Sequence, residues 1–241
     1  MNRCFSFLPG IGPKTLTVLE DEMVHDWDDF LKRGSIKGIG PGRKKFYDRE
    51  IIRARRMLCE DSGYFCDKLP SSETWRLYRY YRDETAFLDI EASEVSDRGR
   101  VTVIGLFDGY DTKIMIRDYN LDLRALADEL KRYSLIVTYN GGSFDIPYLR
   151  KRYHWLLPDV PHIDLRPLCQ RMGLAGGLKE IERNMGIKRG EIVDRMHGGD
   201  PFLLYRMWKG SGDEHYLKLL VEYNEEDCMS LRKIADQVCL K

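Results

Sequence analysis

The sequence has 241 residues, of which 43% are hydrophobic and 32% are charged, and its 39 basic residues balance 39 acidic ones. This composition is typical of a globular chain with a sizeable core and excludes an extended disordered protein. No apolar run reaches the roughly 18–20 residues of a membrane span, and the N-terminus lacks a secretory hydrophobic region, so we expect a cytoplasmic protein with no membrane partner. The six cysteines include no C-x-x-C pair, which favours free thiols over a zinc site or a disulfide framework.

The first sixty residues contain an internal repeat built around glycine. Residues 9–14 (PGIGPK) return as residues 37–42 (KGIGPG), and a helical pattern follows each copy, at 14–23 and 43–58, with another short helix between them. A Gly-x-Gly turn before a helix lets a phosphate approach the backbone N–H groups at the helix N-terminus. We therefore predict a small all-α region that grips nucleic-acid backbone; the alternative is that the glycines only make tight turns.

A basic block accompanies the second copy of the repeat. Residues 32–56 contain ten cations and two acids, although the net charge of the whole chain is zero. Such a block suggests a local contact with a polyanion, and a solvated helix face is the alternative. The residues that we predict to contact nucleic acid in this region are Gly10, Gly12, Lys14, Gly38, Gly40, Arg43, Lys44 and Lys45.

A connector at 61–84 follows, and from residue 85 the pattern becomes that of an α/β domain. The aromatic and arginine residues at 75–82 predict a helix that packs against the next domain, in preference to stacking on bases. Beyond it, alternating apolar residues predict five strands, separated by turns and helices. The strands are expected at 85–91, 100–107, 112–117, 134–139 and 162–165. Meander strands followed by alternating helices and strands predict a mixed five-stranded sheet flanked by helices.

Two acids lie inside the first of these strands, in FLDIEAS at 87–93. Asp89 and Glu91 are two residues apart, so a strand sends both carboxylates to the same face, where they repel each other. Asp145 follows the fourth strand where a helix begins, and Asp227 lies on the last helix, one turn after Tyr223. Four carboxylates at one edge of a sheet would suit two hard cations, Mg²⁺ or Mn²⁺, about 3.5–4 Å apart.

The acids belong to three motifs that resemble a known family. DIE at 89–91, YNGGSFD at 139–145 and YNEED at 223–227 resemble, in this order, the three motifs of the DEDD exonuclease superfamily. The tyrosine of the third motif is similar to that of the DEDDy subgroup, and the second motif resembles the proofreading domains of B-family DNA polymerases. The glycine repeat looks like a double helix-hairpin-helix module.

This resemblance implies an organisation and a mechanism. It implies a helix-hairpin-helix module at 1–60, a connector at 61–84 and a ribonuclease H-like exonuclease domain at 85–241. Asp89 would bridge two Mg²⁺ or Mn²⁺ ions, Glu91 and Asp227 would hold the first ion, and Asp145 would hold the second, largely through water. Tyr223 would orient the attacking water, and 5′-mononucleotides would leave from a 3′ end.

Alternatives remain for three further residues and for the substrate. Asn140 and Phe144 flank the site and are expected to contact nucleic acid. Phe144 is also expected to be partly in the core, and Asn140 to touch the terminal nucleotide or the loop backbone. Asp164, in HIDL at 162–165, resembles an acid of many relatives, and N-capping of a helix is an equally good interpretation. Single-stranded DNA or a frayed 3′ end is the expected substrate; trimming of RNA and a non-catalytic DNA-binding adaptor are the alternatives.

Overall fold

The computed structural model describes residues 1–93, 99–190 and 201–240. A helical N-terminal region precedes a sheet whose five strands are flanked by helices, as the hydrophobic pattern predicts. The helices of the N-terminal region are α1 (Pro13–Asp21), α2 (Trp27–Lys32) and α3 (Pro41–Glu60). Asp26 is the N-cap of α2: its carboxylate accepts hydrogen bonds from the N–H groups of Asp28 and Asp29.

The sheet is mixed, and its strand order places the first strand in the centre. The strands are β1 (Thr85–Ala92), β2 (Val101–Phe107), β3 (Thr112–Ile116), β4 (Leu135–Thr138) and β5 (His162–Asp164). Their order is β3-β2-β1-β4-β5. The pairs β1–β2 and β2–β3 are antiparallel, whereas β1–β4 and β4–β5 are parallel. Within the described residues this is the five-stranded mixed sheet that we predict.

Helices cover both faces of the sheet. They are α5 (Leu123–Leu130), α6 (Asp145–Arg152), α7 (Leu165–Arg171), α8 (Leu178–Asn184), α9 (Pro201–Ser211) and α10 (Glu214–Cys239). Alternation along β1 divides the core: Phe87 packs in one cluster with α7, α8 and α10, and Leu88 in another with α5 and α6. Asp89 and Glu91 share the parity of Phe87, so they lie on the face that α10 covers.

The N-terminal region shares a hydrophobic core with this face of the sheet. Phe30 and Ile51, both fully buried, belong to the same cluster as Phe87 of β1 and Leu231 of α10. Packing of apolar side chains therefore connects the two regions, in addition to the covalent backbone.

The connector differs from the single helix that the aromatic pattern predicts. It contains three short 3₁₀ turns and a one-turn helix, α4. Their bounds are Ser62–Phe65, Thr74–Leu77, Arg82–Glu84 and, for α4, Tyr78–Tyr81. Short turns let side chains along the segment find partners on different elements. The Tyr78 hydroxyl donates to Asp236 of α10 at 2.9 Å, and the Tyr81 hydroxyl donates to the Leu58 carbonyl of α3 at 3.0 Å. The aromatic residues therefore pack, as expected.

A search of the described residues for a membrane span gives a negative result, since none of their helices combines the necessary length and apolar character.

Candidate active site

Three carboxylates from the first and third motifs meet on the face that α10 covers. Oxygen atoms of Asp89, Glu91 and Asp227 all lie within 4.8 Å of one another. Asp89 and Glu91 come from the central strand and Asp227 from the middle of α10, so two rigid elements hold the cluster. The structure thus brings together three of the four predicted metal ligands.

A glycine in the neighbouring strand allows α10 to approach so closely. Gly105 of β2 pairs with Asp89 across the antiparallel ladder. A β-carbon on residue 105 would lie 2.5 Å from the Cys228 sulfur of α10, which is shorter than a van der Waals contact. Because Cys228 follows Asp227 directly, the absence of a side chain at 105 helps to set the distance between Asp227 and Asp89.

Asp145, the fourth predicted ligand, lies beside the cluster and outside the group of three. It is the first residue of α6 and is 6% exposed, and its Oδ1 accepts a hydrogen bond from the Ile90 N–H at 3.1 Å. That bond ties the start of α6 to the strand residue between Asp89 and Glu91. Burial raises the pKa of Asp145 to about 7, although backbone N–H donors act in the opposite direction.

Burial and repulsion also act on the other acids. Burial raises the pKa of Asp89 well above its ordinary value, and the neighbouring charges of Asp227, Glu91 and Asp145 raise it further. Burial raises the pKa of Asp227 to about 6, with Arg189 opposing the shift. Such a site favours a divalent cation, because positive charge among the acids would remove the repulsion.

The donor set fits a hard cation. The three clustered groups are all carboxylates, and oxygen ligands suit Mg²⁺ or Mn²⁺ better than zinc. Asp145 is close enough to influence the pKa of Asp89 and could serve a second ion.

Tyr223 lies next to the carboxylates, one turn before Asp227 on α10. Its side chain is 8% exposed. Burial, followed by the charges of Asp227 and Glu91, raises the pKa of the phenol above its ordinary value. The hydroxyl therefore stays protonated at neutral pH and can donate a hydrogen bond.

Asp164 holds the loop of the second motif as well as capping a helix. Its Oδ1 accepts hydrogen bonds from the N–H groups of Asn140 at 2.7 Å and Arg166 at 3.0 Å, and its Oδ2 accepts from Gly142 N–H at 3.0 Å. The bond to Arg166 N–H is the N-cap of α7, so the capping interpretation is correct. The other two bonds position the loop that leads into Asp145.

Asn140 and Phe144 have partners within the protein. The side-chain oxygen of Asn140 accepts from Arg166 Nη1 at 2.8 Å and from Ser143 Oγ at 3.0 Å, so Asn140 touches its own loop. The Phe144 ring lies 5.1 Å from that of Tyr148 and packs against the core beneath α5 and α6. Phe144 is thus partly in the core, as expected.

Sequence reasoning missed a buried arginine in this site. Arg189 donates from Nε and Nη2 to the two carboxylate oxygens of Glu182, at 2.6 and 2.8 Å, and from Nη2 also to Asp227 Oδ1. The side chains of Arg189, Glu182 and Asp227 are 5%, 2% and 8% exposed. These residues are 7 and 38 positions apart, so no local spacing signals the contact. We call Glu182, Arg189 and Asp227 the buried ion triad.

Glu226 has a role of its own beside Asp227. Its Oε1 accepts a hydrogen bond from the Gly190 N–H at 3.0 Å. Two of the three adjacent acids of the third motif therefore face different groups: Asp227 faces the carboxylate cluster and the arginine side chain, and Glu226 faces the backbone that follows this arginine.

The two glycine turns of the N-terminal region have the same geometry. Gly10 and Gly38 have φ angles of +76° and +78°, which favour glycine. In each copy the chain turns through a backbone hydrogen bond, from Ile11 N–H to the Leu8 carbonyl and from Ile39 N–H to the Ile36 carbonyl. Gly12 and Gly40 then occupy the N-cap positions of α1 and α3, without a side-chain cap. The sequence repeat is thus a structural repeat.

The structure corrects one predicted contact of the basic block. Lys44 is 4% exposed, and its ammonium group pairs with Asp48 at 2.6 Å and lies 4.8 Å from the centre of the Phe30 ring. It faces the core of the helical region and is not available to a phosphate. Arg43 and Lys45, on either side, are exposed, as is Lys14 at the start of α1.

Comparison with protein families agrees with this architecture. A family model described as the RNase_H superfamily matches residues 86–239, more than half of the chain. Among solved structures, the chain is similar to the family B DNA polymerase from the hyperthermophilic archaeon Pyrobaculum calidifontis, with 19% sequence identity, a TM-score of 0.49 and 64% of this chain covered. The matched region spans 24% of the polymerase chain. None of the curated proteins matches the sequence.

Proposed function

Because the chain belongs to the RNase_H superfamily, we propose that it is a metal-dependent 3′–5′ exonuclease of the DEDDy type. The observation that carries this proposal is the meeting of Asp89, Glu91 and Asp227 within 4.8 Å, on the face of the sheet that α10 covers. Three buried or partly buried carboxylates at such distances destabilise the protein unless positive charge joins them. Binding of a cation by these three carboxylates would offset this loss of stability.

Each side chain then has a role in hydrolysis. Asp89, Glu91 and Asp227 would hold one Mg²⁺ or Mn²⁺ ion, and Asp89 and Asp145 would hold a second. Bound in this way, the ions would lower the pKa of the attacking water and offset negative charge at the scissile phosphate. Tyr223, whose phenol stays protonated, would donate to the attacking water or to the phosphate and fix its orientation.

We propose that the N-terminal region binds the backbone of the nucleic acid as a double helix-hairpin-helix module. The equal geometry of the turns at Gly10 and Gly38 supports this, as does the absence of side-chain caps at Gly12 and Gly40, where N–H groups can meet a phosphate. The organisation would be a binding module at 1–60, a connector at 61–84 and a catalytic domain at 85–241.

The expected substrate is single-stranded DNA or a frayed 3′ end, in the cytoplasm. All six cysteines are free thiols, which suits a reducing compartment. Discrimination between DNA and RNA depends on contacts to the 2′-hydroxyl, so matched DNA and RNA strands are the substrates to compare.

The test is digestion of matched DNA and RNA oligonucleotides, single- and double-stranded, labelled at either end, in Mg²⁺, Mn²⁺ or EDTA. We expect a metal-dependent ladder from 5′-labelled single-stranded DNA and release of labelled mononucleotide from the 3′-labelled strand. Preferential cleavage of RNA would identify an exoribonuclease. Binding of DNA with no cleavage of any substrate would identify an adaptor and contradict the proposal.

A further inference from the structure

We propose that Arg189 is a positioning residue for the metal site: it fixes the carboxylate of Asp227 in the orientation that binds the catalytic cation. The inference rests on the proposed function, since it assigns a task within the same site. It concerns a residue outside the three sequence motifs, in the segment between α8 and the last two helices.

The contacts of Arg189 determine where its guanidinium can lie. Glu182 of α8 takes two hydrogen bonds in a forked arrangement, at 2.6 and 2.8 Å, and this arrangement fixes the plane of the guanidinium group. In that plane Nη2 also reaches Asp227 Oδ1. A carboxylate has two oxygens, and Arg189 contacts Oδ1 of Asp227, so the arginine itself does not occupy the second oxygen. Arg189 thus restricts the rotation of Asp227 without occupying both of its oxygens.

The burial of the triad argues that the charges serve more than stability. Three ionic side chains at 2–8% exposure lose most of their hydration, and a buried ion pair is often no more stabilising than apolar residues of the same shape. Next to a cation site such charges can act on the metal ligands, because groups that hydrogen-bond to a ligating carboxylate orient it and maintain metal affinity. Glu182 neutralises the guanidinium, so the charge of Asp227 is left for the cation.

The backbone near Arg189 is held from the same helix that carries Asp227. Glu226 Oε1 accepts from Gly190 N–H at 3.0 Å, one residue after the arginine. One turn of α10 therefore supplies both the carboxylate that is positioned and the anchor for the residue that positions it. The contact with Gly190 therefore gives Glu226 a role in holding Arg189 in place.

The experiment measures Mn²⁺ affinity in the absence of nucleic acid, by electron paramagnetic resonance titration of free Mn²⁺. The main variant is the double replacement Glu182→Met and Arg189→Met, which removes both charges together, so that neither Glu182 nor Arg189 is left without its partner and only Asp227 loses an ion pair. Arg189→Lys keeps the charge but not the forked geometry, and Glu226→Ala removes the backbone anchor. Glu225→Gln, one residue earlier on α10, is the matched control. Circular dichroism and thermal unfolding verify the fold of each variant.

We expect the double variant to fold and to bind Mn²⁺ about 10- to 100-fold more weakly than the parent. Arg189→Lys and Glu226→Ala should lose affinity in the same direction by smaller factors, and Glu225→Gln should bind as the parent does. In cleavage assays the Mn²⁺ concentration for half-maximal rate should rise in the same order, and excess Mn²⁺ should restore the rate.

Two results would overturn the inference. Unchanged Mn²⁺ affinity in the double variant would show that the triad has no effect on metal binding. Tighter binding would show that Arg189 competes with the cation. In either case the parent protein would still bind metal and cut nucleic acid. Failure of the proposed function is a different result, since the parent itself would then neither bind Mn²⁺ nor cleave.

Discussion

Gly105 of β2 and Cys228 of α10 are in contact where the sheet meets its longest helix, and a β-carbon at 105 would come within 2.5 Å of the Cys228 sulfur. The same glycine pairs with Asp89, and the same cysteine follows Asp227. The close packing of a strand against a helix at this one point therefore sets the spacing of two acids that are 138 positions apart in the sequence (227 − 89).

Replacement of Gly105 by alanine should destabilise the protein and weaken metal binding together. The new methyl group must displace the helix or the sulfur, and overpacking of this kind costs about 1–3 kcal/mol. Urea unfolding measures the loss of stability, and Mn²⁺ titration measures the effect on the site. Gly210→Ala in α9 is the control, because a β-carbon there meets nothing within 4 Å; that variant should be unchanged or slightly more stable. An equal effect of the two replacements would contradict the packing argument.

Asp89→Asn should abolish cleavage without harming the metal-free fold. Burial and three neighbouring acids disfavour the ionised form of Asp89, so a neutral amide of similar shape relieves repulsion. In EDTA the melting temperature should equal or exceed that of the parent. Metal at 100 times its dissociation constant should stabilise the parent by about 2.7 kcal/mol and the variant much less. Full cleavage by the variant in Mg²⁺ would refute the assignment of Asp89.

Stabilisation by Mg²⁺ should increase from pH 5 to pH 8. The folded pKa values of Asp145, about 7, and Asp227, about 6, lie above the ordinary value of 3.8, so the folded protein holds these protons more tightly than the unfolded chain does. Their contribution to the stability of the metal-free protein is complete below pH 3.8 and is lost as the pH rises through 6–7. A cation needs the deprotonated carboxylates and therefore compensates for this loss at higher pH.

The difference between melting temperatures with Mg²⁺ and with EDTA is the quantity to measure. Burial lowers the pKa of His162 to about 4, so this residue stabilises the folded state increasingly as the pH rises from 4 to 6.5. Its contribution is the same with Mg²⁺ and with EDTA, and it therefore cancels in the difference between the two melting temperatures. A Mg²⁺ effect of the same size at pH 5 and pH 8 would contradict the raised pKa values of the acids.

Lysine and arginine replacements in the basic block should separate binding from folding. The paired replacement Arg43→Ala and Lys45→Ala should weaken DNA binding and reduce the salt slope by about two units, since each lost phosphate contact removes nearly one. Lys44→Ala should lower stability instead, because it removes the pair with Asp48 and the contact with the Phe30 ring. Fluorescence anisotropy across a salt series and thermal unfolding make the two measurements.

The control for this experiment is Arg55→Ala with Arg56→Ala. These side chains lie further along α3, where they pair with Asp28 and Glu60. A salt slope that falls equally in this variant would show that general charge, and not the hairpin, governs binding.

The helical periodicity of α3 predicts the burial of Lys44, although a count of charges does not. Tyr47, Ile51, Ala54 and Leu58 form the buried stripe of α3, and position 44 continues it by three residues towards the N-terminus. Asp48, four residues on, is the natural partner for a lysine there. A count of positive charge treats the whole helix as one surface, whereas helical periodicity distinguishes its buried face.

Local periodicity along the chain predicts several features of the site and of the N-terminal region. Alternation in β1 puts Asp89 and Glu91 on one face, helical spacing puts Tyr223 and Asp227 on one side of α10, and repetition predicts two equal turns at Gly10 and Gly38. Each depends on backbone geometry over a few residues, which the side-chain pattern reveals directly.

Contacts between groups from distant parts of the chain are visible in the folded structure alone. The pairing of Arg189 with Glu182 and Asp227, the tie from Asp145 to Ile90 and the shared core of Phe30 and Phe87 join elements far apart in the chain. Such contacts arise from the packing of whole helices and strands against one another, and no spacing along the sequence encodes that packing.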